Sequence, residues 1–338
     1  MIRKRETLKI VLLLGALSCR AGFGQDAPPA ILQIDVENLV QYIEDTSDLS
    51  KFATSSSVTP PTSVKNFAQH AGIADIVAVN GQPVKGTMTR TLRQFMLTTA
   101  PNPGQALADT TRGAVSLDTY EILDTAGNEI GSIITAGFAG GVPAAGAPLA
   151  VTQGNFAIVG GTGAFLGARG QIGNAVISPS ILLARGASMT EDPSNRRQNG
   201  GGKIHWIMQL IPAERPEITI TANGPAVTHS SDFTLVSASK PAAAGEVLSL
   251  FMTGLGPTKP GVDPGSPFPA SPAAIVNSPV SVTVNGESAE VLGAVGYPGA
   301  VDGYQVNFRV PSDARKGTAS VQVTAAWIAG PAVQIAIQ

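Results

Sequence analysis

The chain has 338 residues, 43% of them hydrophobic and only 14% charged, with 38 glycines, 25 prolines and a formal net charge of −2. That length exceeds what one hydrophobic core usually organises, so two domains are expected, and the glycine and proline content points to tight turns rather than long helices. So few charges exclude a disordered polyelectrolyte, and the acidic balance, with no cluster of Lys and Arg interleaved with aromatics, excludes a nucleic-acid partner.

Residues 1–24 read as a secretory leader. Arg3, Lys4, Arg5 and Lys9 surround the start of an apolar core from Ile10 to Leu17, and small residues follow to Gly24. The core is too short to span a bilayer, so no transmembrane segment is expected in the mature chain. Cleavage after Gly24 would leave a soluble, extracytoplasmic protein, secreted or periplasmic. Ala16-Leu17-Ser18-Cys19 is an imperfect lipobox, and the alternative is a lipid anchor through Cys19. Removing the leader takes away five cations and Glu6, which moves the formal charge from −2 to −6. Cys19 is the single cysteine, so no intramolecular disulfide, thiol catalysis or thiolate metal site is expected.

After the stiff Ala27-Pro28-Pro29-Ala30 linker, the alternation from Ile31 to Tyr42 predicts a strand, and Asp45-Thr46-Ser47-Asp48-Leu49 a short capped helical turn. Ser55 to Thr62 reads as a loop. Ile73–Val79 and Val84–Leu97 form a predicted hairpin about Asn80-Gly81, and Val115–Leu123 with Glu129–Phe138 a second one. The Gly, Ala and Pro run from Ala139 to Gly154 reads as a flexible loop. Asn155–Val159 is a strand entering Gly160-Gly161-Thr162-Gly163, and Lys203–Ile211 closes the block. Between them, Glu191 to Arg197 reads as a mobile, solvated tip.

Pro212-Ala213-Glu214-Arg215-Pro216 is the expected boundary, giving a first domain over 25–213 and a second over 214–338. In the second, strands are predicted at Phe233–Val236, Val247–Thr253, Val280–Val284, Ala289–Val295, Tyr304–Val310, Ala319–Ala325 and Val333–Ile337. That spacing favours a sandwich. Gln305 and Asn307 share one strand face and are expected to pin neighbouring loops.

Gly161-x-Gly163-x-x-x-Gly167 imitates a dinucleotide fingerprint, but the residues after it hold too much glycine for the helix that chemistry needs. Gly-x-Ser-x-Gly, His-Glu-x-x-His, EF-hand and Walker patterns are absent, so no hydrolase triad, metal or cofactor is expected.

The run from Asn155 to Gly170, a strand followed by Gly160-Gly161-Thr162-Gly163, Phe165 and Ala168-Arg169-Gly170, resembles the signature of the dirigent and allene oxide cyclase-like barrel family. The resemblance covers about residues 31–212. It implies an eight-stranded antiparallel β-barrel, often trimeric, holding a small hydrophobic or aromatic ligand and steering its cyclisation or stereoselective coupling without a cofactor. Residues 218–338, with Val280 to Gly286 and Gly303 to Pro311, are similar to the Solibacter-type uncharacterised C-terminal domain, which is immunoglobulin-like. The expected fold is therefore all-β, a barrel followed by an immunoglobulin-like sandwich.

Two residues are candidate catalytic groups. Asp75 shares a strand face with Ile73, Val77 and Val79; in the lumen its carboxyl would be desolvated and raised, fit for acid or proton-relay work, whereas at the rim it would meet solvent. Arg169 matches the arginine of the family segment and would either polarise a ligand oxygen or tie the glycine-rich turn to carbonyls. Tyr120, Glu121, His205 and Trp206 are candidate ligand-binding residues. The competing class is a non-catalytic envelope scaffold or adhesion protein.

Overall fold

The structure, a computed structural model, describes residues 29–45, 67–96, 112–139, 154–175 and 182–338. The leader with Cys19, the turn expected after Asp45, the loop at Ser55–Thr62 and most of the Ala139–Gly154 run lie outside the described residues.

Ten strands make the first sheet: β1 (Ala30–Asp45), β2 (Phe67–Val79), β3 (Gln82–Pro83), β4 (Lys85–Met96), β5 (Arg112–Leu123), β6 (Glu129–Ala139), β7 (Gly154–Gly163), β8 (Arg169–Ala175), β9 (Arg185–Ser188) and β10 (Gly202–Ile211). Neighbours pair in the order β2-β4-β5-β6-β7-β8-β10-β1, and β1 pairs again with β2. Eight antiparallel strands thus close into a barrel, which removes the unpaired edges an open sheet would present. The first hairpin turns at Asn80 and Gly81, whose φ of 49° and 74° are the left-handed pair such a tight turn requires. β1 carries a bulge between Val36 and Leu39, with Asn38 at φ 54°. Beyond the bulge β1 leaves β10 and pairs in parallel with β9, from Val40↔Arg185 to Ile43↔Ser188.

Three local expectations are corrected. The glycine cluster is the second half of strand β7, paired with β6, rather than a turn after it. Residues 191–197 are largely exposed, as expected, but are structured rather than a free tip: Asp192 caps a 3-10 turn (Pro193–Asn195) that runs into a short helix, α1 (Arg196–Asn199), tied to the outside of the barrel through Asp75. Phe233–Val236 is not a strand; Phe233 has φ 55° and the segment makes one isolated bridge, Thr228↔Leu235.

β10 ends at Ile211, and from Glu217 the strands belong to the sandwich. Its main strands are Val247–Thr253, Val280–Val284, Glu287–Gly296, Tyr304–Arg309, Gly317–Ala325 and Val333–Ile337. Glu287–Gly296 serves both layers, pairing first with Val280–Val284 and then with Tyr304–Arg309. Leu248, Leu250, Met252, Val306 and Phe308 meet Val282, Val321 and Val323 between the layers. Each such burial stabilises by about 1.5–3 kcal/mol, which a chain without disulfides needs. Asn307 Oδ1 accepts from Ser249 Oγ at 2.8 Å and from Gln305 Nε2 at 2.9 Å, so these amides bond to each other and to the adjacent strand rather than to a loop.

The sandwich also closes one mouth of the barrel. Ala326 and Ile328, at the turn after Gly317–Ala325, belong to the barrel's own core cluster, and Trp327 Nε1 donates to Gln82 Oε1 at 2.8 Å. Among the described residues no helix is long and apolar enough to cross a membrane.

Candidate functional site

Strand alternation decides which side chains enter the lumen. On β4 these are Met88, Arg90, Leu92 and Gln94; on β5, Ser116, Asp118, Tyr120 and Ile122; on β10, Ile204, Trp206, Met208 and Leu210. The register aligns Gly72 with Arg90, Arg90 with Asp118 and Asp118 with Thr135, so one belt of the barrel is polar. Gly72 makes room for it, since a Cβ there would stand 2.9 Å from Arg90 Cβ. His70 and Gln41 continue the polar character toward the far mouth. Toward the sandwich the lumen is packed by Leu32, Ile34, Ile133, Phe165, Met208 and Leu210.

The belt is organised by a buried ion pair. Arg90 Nε donates to Asp118 Oδ1 at 3.0 Å and Arg90 Nη2 to Oδ2 at 2.6 Å, both side chains at most 4% exposed. Ser116 Oγ adds a third donor to Asp118 Oδ1 at 2.6 Å. Burial opposes the guanidinium charge, but the adjacent carboxylate outweighs it and holds Arg90 protonated above its ordinary range. The Arg90 guanidinium also lies 5.6 Å from the Trp206 ring centre, and Tyr120 meets that ring edge-on at 6.2 Å. Burial first, and the Asp118 charge second, raise the Tyr120 phenol well above its usual value, so it stays a neutral hydroxyl.

Tyr120 Oη lies in hydrogen-bond reach of Thr135 and Asp118, which leaves two buried donors without a partner: Trp206 Nε1, whose ring faces the pair, and Gln94 Nε2, four residues further along β4. An unsatisfied buried donor costs about 1–3 kcal/mol, so each of these two is a position that a bound acceptor would relieve.

The candidates named from the sequence separate cleanly. Tyr120 and Trp206 enter the belt. Glu121 is exposed on the outer face. His205 also points outward, with Nδ1 2.6 Å from Asp35 Oδ1. Arg169 is exposed and its Nη1 donates to the carbonyls of Val159 at 3.0 Å and Ala168 at 3.0 Å, the structural role of the two considered for it. Asp75 is corrected: it lies on the outer face, beneath α1, where Asn38 Nδ2 donates at 2.9 Å, Arg197 at 2.8 Å twice, and Arg196 also pairs with it. Burial would raise its carboxyl, but the hydrogen bonds from Arg197, Asn38 and Arg196 prevail and lower it from 3.8 to about 2. It is an anchor for the 182–200 segment, not an acid in the lumen.

A depressed carboxylate stabilises above its unfolded value and loses that contribution as pH falls through the folded one. Asp75→Asn is therefore expected to cost about 1–2 kcal/mol at pH 7. Urea titrations should show the gap from the parent closing between pH 4 and 2.

Arg90, Ser116, Asp118, Gln94 and Thr135 were not singled out from the sequence. Their signal was parity: Arg90 falls in step with Met88 and Leu92, and Asp118 with Tyr120 and Ile122. Among the described residues no group of three or more His, Cys, Asp or Glu is placed to hold a metal ion. Comparisons of the chain with family models, curated proteins and solved structures give no match.

Proposed function

We propose that the barrel binds a small apolar or aromatic molecule bearing an acceptor oxygen, with the oxygen in the polar belt and the body against the Trp206 and Tyr120 rings. The observation that carries this is two unpartnered buried donors, Trp206 Nε1 beside a neutralised ion pair and Gln94 Nε2 further along β4. Donors without acceptors favour a carbonyl or ether oxygen, and the Arg90–Asp118 pairing removes the net charge that would select an ion. The resemblance of Asn155–Gly170 to the dirigent and allene oxide cyclase-like barrels supports the same reading, with ligand steering as its catalytic extension. The leader supports export, and the similarity of 218–338 to an immunoglobulin-like module supports an accessory role for the sandwich. A homotrimer, implied by the same resemblance, would use the exposed Val115, Leu117 and Val159 on the outer face of β5 and β7.

The test uses Trp327→Phe, which leaves Trp206 as the sole indole. Titration with 2-acetylnaphthalene should quench Trp206 emission, and Gln94→Leu should weaken binding about 5–30-fold, the equivalent of 1–2 kcal/mol. Emission that ignores the ketone, or an affinity unmoved by Gln94→Leu, would support the second reading, a scaffold, which rests on the solid apolar packing of the sandwich-side lumen. Native mass spectrometry of the purified chain reports retained ligand and trimers directly.

A further inference from the structure

Where the barrel turns meet the sandwich there is a cleft of about 550 Å³, outside the barrel lumen and separate from the polar belt. Its size falls within the ~300–1,000 Å³ of small-molecule sites, and domain junctions are where such sites concentrate. The walls are fixed rather than hinged. Asn277 Nδ2 donates to Glu129 O at 2.8 Å across the junction, Tyr304 Oη donates to Gly256 O at 2.8 Å, and Ile328 is held in the barrel core.

The chemistry of the lining is two-sided. One wall is apolar and aromatic: Phe268 packs on Tyr304 with ring centres 5.2 Å apart, flanked by Val262, Pro257 and Ile328. The other carries three carboxyls, Glu129, Glu214 and Asp302, against one ammonium, Lys259. The Tyr304 hydroxyl donates to Gly256 O and also lies in hydrogen-bond reach of the Asp302 carboxylate. Desolvation raises the Asp302 carboxyl against hydrogen bonds from Tyr304 and the Gly254 backbone that lower it, so this carboxylate gains from a cation brought close to it.

We propose that this cleft is a second binding site, selective for an organic ammonium ion that carries an apolar or aromatic body. The ammonium would sit by Asp302 and the body against Phe268 and Val262. Anions are disfavoured by the lining charge, and a neutral analogue would keep only the apolar contacts.

The probes are phenethylamine, phenethyl alcohol and phenylacetate, titrated calorimetrically into the full-length protein at pH 7. The amine is expected to bind at least tenfold more tightly than the alcohol, and phenylacetate not at all. Asp302→Asn keeps a residue type that tolerates the φ of 52° at this position, and should weaken the amine about tenfold while moving the alcohol less than twofold. Gly261→Trp places a large side chain where a Cβ meets only Thr258 O, at 3.7 Å, and should abolish binding of both with the melting temperature unchanged. Gln94→Leu, in the lumen, should leave the amine affinity alone. Equal affinities for amine and alcohol, amine binding unaltered by Asp302→Asn, or amine binding that survives Gly261→Trp would each overturn the site.

Discussion

Asp118→Ala is expected to destabilise the protein by about 3–5 kcal/mol, because it strands the Arg90 guanidinium in a site where its side chain is 4% exposed. The cost comes from the survivor. Arg90 loses both of its carboxylate hydrogen bonds, and Ser116 loses its acceptor in the same step. A guanidinium does not escape by shedding its proton, so it must draw water into the belt or push the strands apart. Replacing both partners, Arg90→Met with Asp118→Leu, removes the charges together and should recover most of the loss. Urea unfolding at pH 7 measures all three proteins. If Asp118→Ala cost under 1 kcal/mol, the pair would not be buried as described. A double variant no better than the single would mean that the pair itself, and not its desolvation, holds the barrel.

The same pair shows what alternation can and cannot say. β4 and β5 were legible as strands because apolar residues recur at every second position and Asn-Gly or Asp-x-x-Gly turns bound them. Arg90 sits in step with Met88 and Leu92, and Asp118 with Tyr120 and Ile122 but out of step with Val115 and Leu117, which are exposed, so parity leaves the side of Asp118 open; it also omits that the two meet, which depends on the β4–β5 register. Asp75 fails for a different reason. Both faces of β2 are apolar near it, Ile73 and Val77 on one and Ala74 and Ile76 on the other. The outer set is covered by the 182–200 segment, where Val40, Tyr42 and Ala187 pack with Ile73. That cover is a tertiary event more than a hundred residues away in sequence, and nothing local to β2 announces it. The acidic and basic run at 191–197 is exposed, as its composition says, and what the sequence does not announce is that its two arginines pair with a carboxylate on another strand. Strand β8 escaped notice because Arg169-Gly170-Gln171-Ile172-Gly173-Asn174-Ala175 is too rich in glycine and polar residues to read as a strand by propensity.

That glycine content has a physical cause, and it yields the second large effect. Gly170→Ala is expected to cost on the order of 3–4 kcal/mol or to prevent folding, placing it among the exceptional single substitutions. Gly170 has φ 140°, a region that side-chain-bearing residues avoid, and a Cβ there would stand 2.0 Å from Gln209 O on the neighbouring strand. Gly170 pairs with Ile158 on β7 and with Leu210 on β10, so it sits in the barrel wall where β8 bridges two neighbours. The seam is thin on the β7 side, where pairing runs only from Phe156↔Ile172 to Ile158↔Gly170. A Cβ wedged against β10 would have to break the β8–β10 ladder or lever β8 off β7, and either opens the tube. Gly160 in the same run is the control, since a Cβ there meets nothing within 4 Å. Gly160→Ala should stay within about 0.5 kcal/mol of the parent, as surface substitutions generally do. Urea unfolding ranks the two, and native-state hydrogen exchange locates the damage: Gly170→Ala should release the amides of β8 and β10 first. Equal tolerance at both positions would mean that β8 is not clamped between its neighbours, and the enclosed polar belt would lose its wall.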